Sequence, residues 1–357
     1  MTPGPNSIFA VETPAVLVDL DVVVANIVRA QTLFDALGLG FRPHVKTHKI
    51  PSLARLQLQQ GAIGIAAQKI SEAEVFAADG IDDILLCFNL LSPAKIARAR
   101  ALRDHCRLTV VADNPQVVRA LSEGMAGAAT ALDVLVECDT GMGRCGVQSP
   151  AAARDLAVLI DAAPGLHFAG LMTYPAPGGT ARVEVFMAKA RALCIAAIGH
   201  CATISSGGTP SMAEAALAPT VTEYRAGTYI YNDRSLVERG ACQLADCALT
   251  VLATVVSRPT DSRAILDAGS KSLTSDLLGL TGHGIILGFP EARITGLSEE
   301  HGHVDVGSCP TRPQIGDKVQ IVPNHACPVS NLVDRVIFHR SGVVLGAELV
   351  AARGMVQ

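Results

Sequence analysis

The chain has 357 residues, 49% of them hydrophobic, and a formal net charge of −4. That length holds one large domain and a smaller one, and the near-neutral charge without a dominant basic tract excludes nucleic acid as a natural partner. No apolar run reaches the about 18 residues that read as a membrane-spanning helix, so no membrane partner is expected.

The opening MTPGPNSIFAVETP lacks a basic segment followed by a long apolar one, so no signal peptide is expected. Ten cysteines are scattered without a CxxC pair, the usage of reduced thiols in a cytoplasmic protein. From residue 40, short β-rich runs alternate with helical stretches. The runs are LGFRPHVK, AIGIAA, DILLCF, LTVVAD, LDVLVECD, LHFAGLMTY, TISSGG and TEYRAGTYIY. Between them SEAEVFAADG, SPAKIARARALRDH, NPQVVRALSEGM, AAARDLAVLIDAA and ARVEVFMAKARALCIAAIG repeat apolar residues at three and four. Several of these open with Ser, Asn or Pro and close with Gly. Eight such units predict a (β/α)8 TIM-like barrel. A doubly wound sheet is the rival, but no GxGxxG follows the first strand. Past residue 236, CALTVLATVVSR, RAILDAG, HVDV, KVQIVPNH and RVIFHRSGVVLGAELVA read as strands with almost no helical periodicity. AVLVDL (15–20) is one strand too many for the barrel. The reading is therefore a barrel over 21–235 and a discontinuous all-β domain from 1–20 and 236–357.

Three motifs carry chemistry. FRPHVKTHK (41–49) packs two lysines, two histidines and an arginine into nine residues. On a strand, Arg42, His44 and Lys46 share a face, and Lys46 falls at the C-terminal end, where barrel enzymes place their function. Desolvation and neighbouring cations (Arg42, His44, His48) lower an amine's pKa and suit it to Schiff-base formation. A solvated loop explains the composition about as well. In SSGGTPS (205–211), Gly207 and Gly208 let backbone N–H groups approach an anion, Thr209 adds a hydroxyl, and the helix SMAEAAL offers its N-terminus. Gly227 and Thr228 face the same task after the eighth strand. An ordinary glycine turn is the alternative. In PNHACP (323–328), His325 and Cys327 lie two apart, so an extended segment points both the same way as a zinc-type donor pair; a bare HxC is common. Arg144 in GMGRCGV could meet a phenolate or carboxylate, and Tyr174 in MTYPAPGG could stack or donate; a turn arginine and a rim aromatic are the bland readings.

Together these segments, with TPAVLVDL, QKISEAE and YRAGTYIYND, resemble the D-threonine aldolase and D-serine dehydratase family, fold-type III pyridoxal-phosphate enzymes related to alanine racemase. The resemblance covers nearly the whole chain. It implies a homodimer with sites near the interface, and pyridoxal 5'-phosphate held by Lys46. It implies Ser206, Gly208, Thr209, Gly227, Thr228 and Tyr229 around the cofactor, and Arg144 and Tyr174 near its phenolic oxygen and ring, Tyr174 with a catalytic part. His325 and Cys327 become ligands of a divalent metal (Mn, Zn or Mg). Gln68 lies in a family motif without a clear role. The expected activity is a lyase on a small D-3-hydroxy amino acid: retro-aldol cleavage of D-threonine, or dehydration of D-serine or D-3-hydroxyaspartate. An amino-acid racemase has no use for the metal pair, and a non-catalytic pyridoxal-phosphate carrier has none either.

Overall fold

In the computed structural model, which describes residues 4–357, the first strand, β1 (Ala15–Asp19), stays out of the barrel. It pairs antiparallel with Leu249–Leu252 and parallel with Ile337–His339. This is the discontinuous all-β sheet read from AVLVDL; residues 1–3 of that segment lie outside the described residues.

The barrel strands are β2 (Gly40–Phe41), β3 (Ile65–Ala67), β4 (Asp83–Leu86), β5 (Arg107–Ala112), β6 (Leu132–Cys138), β7 (Leu166–Thr173), β8 (Thr203–Ser206) and β9 (Glu223–Tyr224). All pair in parallel, in sequence from β3 to β9, and β9 then pairs with β2. A parallel bridge between His44 and Ala66, with Ala66 N donating to the Pro43 carbonyl at 2.8 Å, joins the sheet's two ends.

The helices are α1 (Leu20–Ala36), α2 (Pro51–Gln59), α3 (Ile70–Ala78), α4 (Pro93–Arg103), α5 (Pro115–Gly124), α6 (Pro150–Ala162) and α7 (Thr180–Ile198). The starts of α4, α5 and α6 show why the sequence folds here. Ser92, Asn114 and Ser149 each accept a backbone N–H with the side chain, and proline follows in the first turn, where a missing N–H costs nothing. Helix α7 stops at Gly199, whose φ of 96° suits a left-handed cap. Inside the barrel, Ala66, Leu85, Cys87, Val111, Leu135 and Met172 form one buried cluster. The 17-residue α1 had no counterpart among the helical stretches read from sequence.

The second sheet comprises β1 with β10 (Leu249–Thr260), β11 (Arg263–Leu266), β12 (Ile285–Ile286), β13 (Arg293–Leu297), β14 (Gly302–Asp305), β15 (Lys318–Val322), β16 (Arg335–Arg340) and β17 (Val343–Leu349). Its order is β13-β14-β11-β10-β1-β16-β17, with β15 also pairing β10 and β12. Short helices interrupt the β texture: α8 (Arg234–Glu238), α9 (Ser270–Leu273) and α10 (Ala326–Leu332). The chain divides into two compact units. One holds residues 4–28, Thr47–Ile50 and Thr228–Gly354; the other holds Arg29–Lys46, Pro51–Gly227 and Met355–Gln357. None of the ten cysteines is in a disulfide. Among the described residues, no helix is long and apolar enough to cross a membrane.

Candidate active site

The basic segment 41–49 is neither the long strand nor the solvated loop expected of it. Ladder bonds run on past β2, from Arg42 N to the Tyr224 carbonyl (2.9 Å) and from His44 N to the Ala226 carbonyl (2.8 Å). Then Val45–Thr47 turn into a 3-10 helix, so the alternation that put Arg42, His44 and Lys46 on one face does not hold. Arg42 is engaged elsewhere, buried against Glu223 (2.8 Å) and Asp83 (2.5 Å). Its charge is met by carboxylates, so it is not the free cation the strand reading supplied. Thr47, His48 and Lys49 are buried and Lys46 half-buried. Lys49, at a φ of 58°, donates its Nζ to the Ala352 carbonyl at 3.3 Å, a structural task.

Lys46 stands in the turn, its N–H on His44 Nδ1 (3.3 Å). Gln68 ties His44 Nε2 (3.1 Å) to the Cys87 carbonyl (2.9 Å), which gives it a positioning role. Burial pushes the Cys87 thiol up, against the pull of Arg225 and Lys46. Arg225 was not singled out in the sequence. It donates to Ser205 Oγ (2.8 Å) and the Thr173 carbonyl (2.6 Å), and lies with Arg144 close enough to Glu137 to oppose the burial that raises that carboxyl's pKa.

At the end of β7, Tyr174 carries the Arg144 guanidinium 4.7 Å over its ring, a cation–π contact. The loop presenting Arg144 is held by Asp139, whose Oδ1 accepts the N–H groups of Gly141 (2.8 Å) and Gly143 (3.1 Å). Burial works against the Asp139 charge, but those amides outweigh it and lower its pKa. After β8, Gly207 has a φ of 118°, and a Cβ there would come within 2.5 Å of the Tyr224 ring. A Cβ on Gly208 would come within 3.1 Å of Tyr174, and Tyr224 donates its hydroxyl to the Gly208 carbonyl (3.1 Å). Ser206 is buried beside them. The helix expected at SMAEAAL starts earlier, as a 3-10 helix over Thr209–Leu217 kinked at Ser211. A half-buried lysine, bare glycine backbone and an aromatic with an arginine above it fit pyridoxal phosphate in kind.

In the other unit, PNHACP is not extended. His325 is the N-cap of α10, and Cys327 lies in that helix's first turn. The two side chains still lie close enough for each to shift the other's pKa. The reason lies in the packing around them. Buried Asp233 accepts Ala326 N (3.1 Å) and Leu236 N (3.2 Å), tying the start of α10 to α8. Asn324 donates to the carbonyls of Asp276 (3.2 Å) and Gly282 (2.8 Å), and Asp276 Oδ2 takes His325 Nδ1 at 2.7 Å. Cys327 Sγ sits 3.2 Å from the hydroxyl of Thr47, the residue after Lys46, and 3.5 Å from that of Thr228. Tyr229 is buried next to Thr228. Burial opposes charge on His325, but Cys327 and Asp276 outweigh it and push its pKa up to about 9; burial likewise opposes the Cys327 thiolate, which His325 stabilises enough to lower its pKa.

An imidazole whose Nδ1 meets a carboxylate, beside a thiol whose pKa that imidazole lowers, offers two donor types of the kind that metal sites use. Among the described residues, no cluster of three or more His, Cys, Asp or Glu could hold a metal by itself. Asp276 carried no sequence signal: nothing in TSDLL marks it.

A family model described as the alanine racemase N-terminal domain matches residues 18–235, and one described as a putative serine dehydratase domain matches 248–339. The D-threonine aldolase of Arthrobacter sp. is 37% identical over 96% of this chain and 93% of that protein. The chain belongs to the D-threonine aldolase and D-serine dehydratase family. The crystal structure of D-threonine aldolase from Filomicrobium marinum is 32% identical and superposes with a TM-score of 0.89, covering 100% of both chains. D-threo-3-hydroxyaspartate dehydratase from Delftia sp. is 30% identical with a TM-score of 0.87, covering 96% of this chain and 99% of that one. Further structures of that dehydratase include a metal-free Cys→Ala mutant and a His→Ala mutant, the altered positions two residues apart. Members of this family are lyases on D-hydroxy amino acids, and so is this chain; the fold type implies pyridoxal phosphate.

Proposed function

We propose that this lyase cleaves D-3-hydroxy amino acids by a pyridoxal-phosphate- and divalent-metal-dependent retro-aldol reaction, D-threonine giving glycine and acetaldehyde. The observation that carries the reading is the end-to-end likeness to two D-threonine aldolases, 37% identical in one case and a TM-score of 0.89 in the other.

Pyridoxal phosphate, when bound, supplies an electron sink for the α-carbon, and a divalent metal supplies a Lewis acid for the β-hydroxyl. In this reading Lys46 holds the cofactor covalently. Gly208, Thr209 and Ser206, with Gly227, Thr228 and Tyr229, receive its phosphate, and Tyr174 and Arg144 fix its ring. His325 and Cys327 hold the metal, and Asp276 fixes the His325 tautomer by accepting the Nδ1 proton. Two protein donors leave room for the substrate's own oxygen. A homodimer belongs to the same proposal.

One observation favours dehydration of D-serine or D-3-hydroxyaspartate as a second reading. The dehydratase structures single out a His and a Cys at the same spacing as His325 and Cys327. The two reactions part at the proton removed: the hydroxyl proton for Cα–Cβ cleavage, the α-proton for loss of water. Product analysis with D-threonine separates them: glycine and acetaldehyde against 2-oxobutanoate and ammonia.

A further inference from the structure

Beside its apolar cluster, the barrel interior carries a continuous chain of buried polar groups. Arg42 and Glu223 line one small cavity with Leu85 and Leu135 of that cluster, which places the chain inside the ring of strands. It begins at the N-terminal face, where Asp83 and Glu223 are the first residues of β4 and β9. Arg42 joins the two carboxylates, at 2.5 Å to Asp83 and 2.8 Å to Glu223. The other oxygen of Glu223 accepts Ser205 Oγ–H (2.6 Å), and Ser205 Oγ accepts Arg225 Nε–H (2.8 Å). Each direction is set, because a carboxylate only accepts and a guanidinium only donates. Arg225 continues the ladder of β9, its N–H on the Ser206 carbonyl (2.8 Å), so it shares the inward face of Glu223.

At the mouth Arg225 ties strand ends together. It donates to the carbonyl of Thr173 (2.6 Å), the residue before Tyr174, and its other terminal nitrogen meets Cys87 Sγ at 3.7 Å. The Cys87 carbonyl holds Gln68, Gln68 holds His44, and the Lys46 N–H rests on His44. One guanidinium is thus linked to the tyrosine and to the turn of the lysine. Arg42, Ser205, Glu223 and Arg225 are all buried. Buried ion pairs add little net stability, because desolvation offsets their attraction, and branched apolar side chains fill a barrel interior as well. Placement of Arg225 is the gain left to them.

We propose that Glu223 and Ser205 are positioning residues for the lyase reaction, acting through Arg225 to fix Tyr174 and the Lys46 turn against the bound cofactor. The inference rests on Lys46 and Tyr174 being the cofactor's residues, as read above. Glu223 takes the Ser205 proton, which leaves an Oγ lone pair for Arg225 Nε–H. Without that oxygen the guanidinium loses its inner anchor and is held from the mouth alone.

The test compares the cofactor-loaded parent with Ser205→Ala, which keeps both charged neighbours and removes the oxygen between them. Its melting temperature should stay within about 4 °C of the parent, as for one hydrogen bond in a chain this large. kcat on D-threonine should fall about 10- to 100-fold, the scale of a displacement of about 1 Å near the reacting groups, with KM little changed. The circular dichroism of the cofactor's visible band should change, a signal that a merely structural loss leaves alone. Glu223→Gln, which keeps one acceptor oxygen, should fall between the parent and Ser205→Ala. In an Arg225→Lys background Ser205→Ala should cost little more, because both act through one group. Unchanged kcat and dichroism in Ser205→Ala, or losses that multiply in full with Arg225→Lys, would overturn the proposal. Lys46→Ala, measured alongside, reads the cofactor assignment separately: a band lost there while Ser205→Ala stays like the parent defeats the positioning role alone.

Discussion

Replacing Asp276 by alanine removes the carboxylate that accepts His325 Nδ1 at 2.7 Å. A charge-assisted hydrogen bond of this kind contributes about 1.5–3 kcal/mol. The side chains are 27% and 45% exposed, so solvent screening places the loss toward the lower part of that range. Since about 1.4 kcal/mol is a factor of ten, metal affinity should weaken by about 10- to 30-fold, within the roughly 10- to 100-fold typical of an orienting partner. The assay strips the enzyme of metal, keeps pyridoxal phosphate bound, and titrates zinc against a chromophoric chelator. Asp276→Asn, whose amide oxygen can still accept from Nδ1–H, should lose less than Asp276→Ala. At saturating metal the alanine variant should regain most of its turnover, because the defect lies in holding the ion. An Asp276→Ala protein that folds, keeps its cofactor band and binds zinc as tightly as the parent would refute the reasoning.

Lys46→Ala should lose the visible band of the lysine-bound cofactor together with activity. Lys49→Ala should keep the band and lose about 1–3 kcal/mol of stability, because a buried acceptor loses its donor; the reverse result would exchange their roles. Gly208→Val should weaken cofactor binding, since a Cβ there meets the Tyr174 ring at 3.1 Å; unchanged affinity by spectral titration would move the phosphate site. Burial raises the Glu137 carboxyl, so its contribution to stability is fully present below the unfolded value of about 4.3 and is lost as pH rises through the folded value. The stability of wild type minus Glu137→Gln, from denaturant titrations of the cofactor-free proteins, should therefore fall across the weakly acidic range; a difference flat in pH would contradict the shift.

The barrel was legible because each unit signals itself. Ser92, Asn114 and Ser149, each before a proline, mark helix starts through local hydrogen bonding, and the apolar runs of β4 to β7 have a buried partner on both sides. The extra strand β1 was legible by counting. The ends of strands were not. In FRPHVKTHK the alternation of a strand and a 3-10 turn after a ladder look alike in composition, and only the pairing with Tyr224 and Ala226 shows where one gives way to the other. His325 and Cys327 lie together, but not on the extended segment that their spacing suggests: they sit at a helix start, where Asp233, 93 positions away in sequence, accepts Ala326 N. Asp276 and Arg225 act through contacts that join distant stretches of chain, and no local pattern announces such partners.

The central claim is tested most directly by incubating the purified, cofactor-loaded enzyme with D-threonine and quantifying every product, with and without chelator. The account predicts glycine and acetaldehyde in equal amounts, abolished by chelation while the cofactor band persists, and restored by added divalent metal. 2-Oxobutanoate with ammonia, or turnover undiminished in chelator, would contradict it.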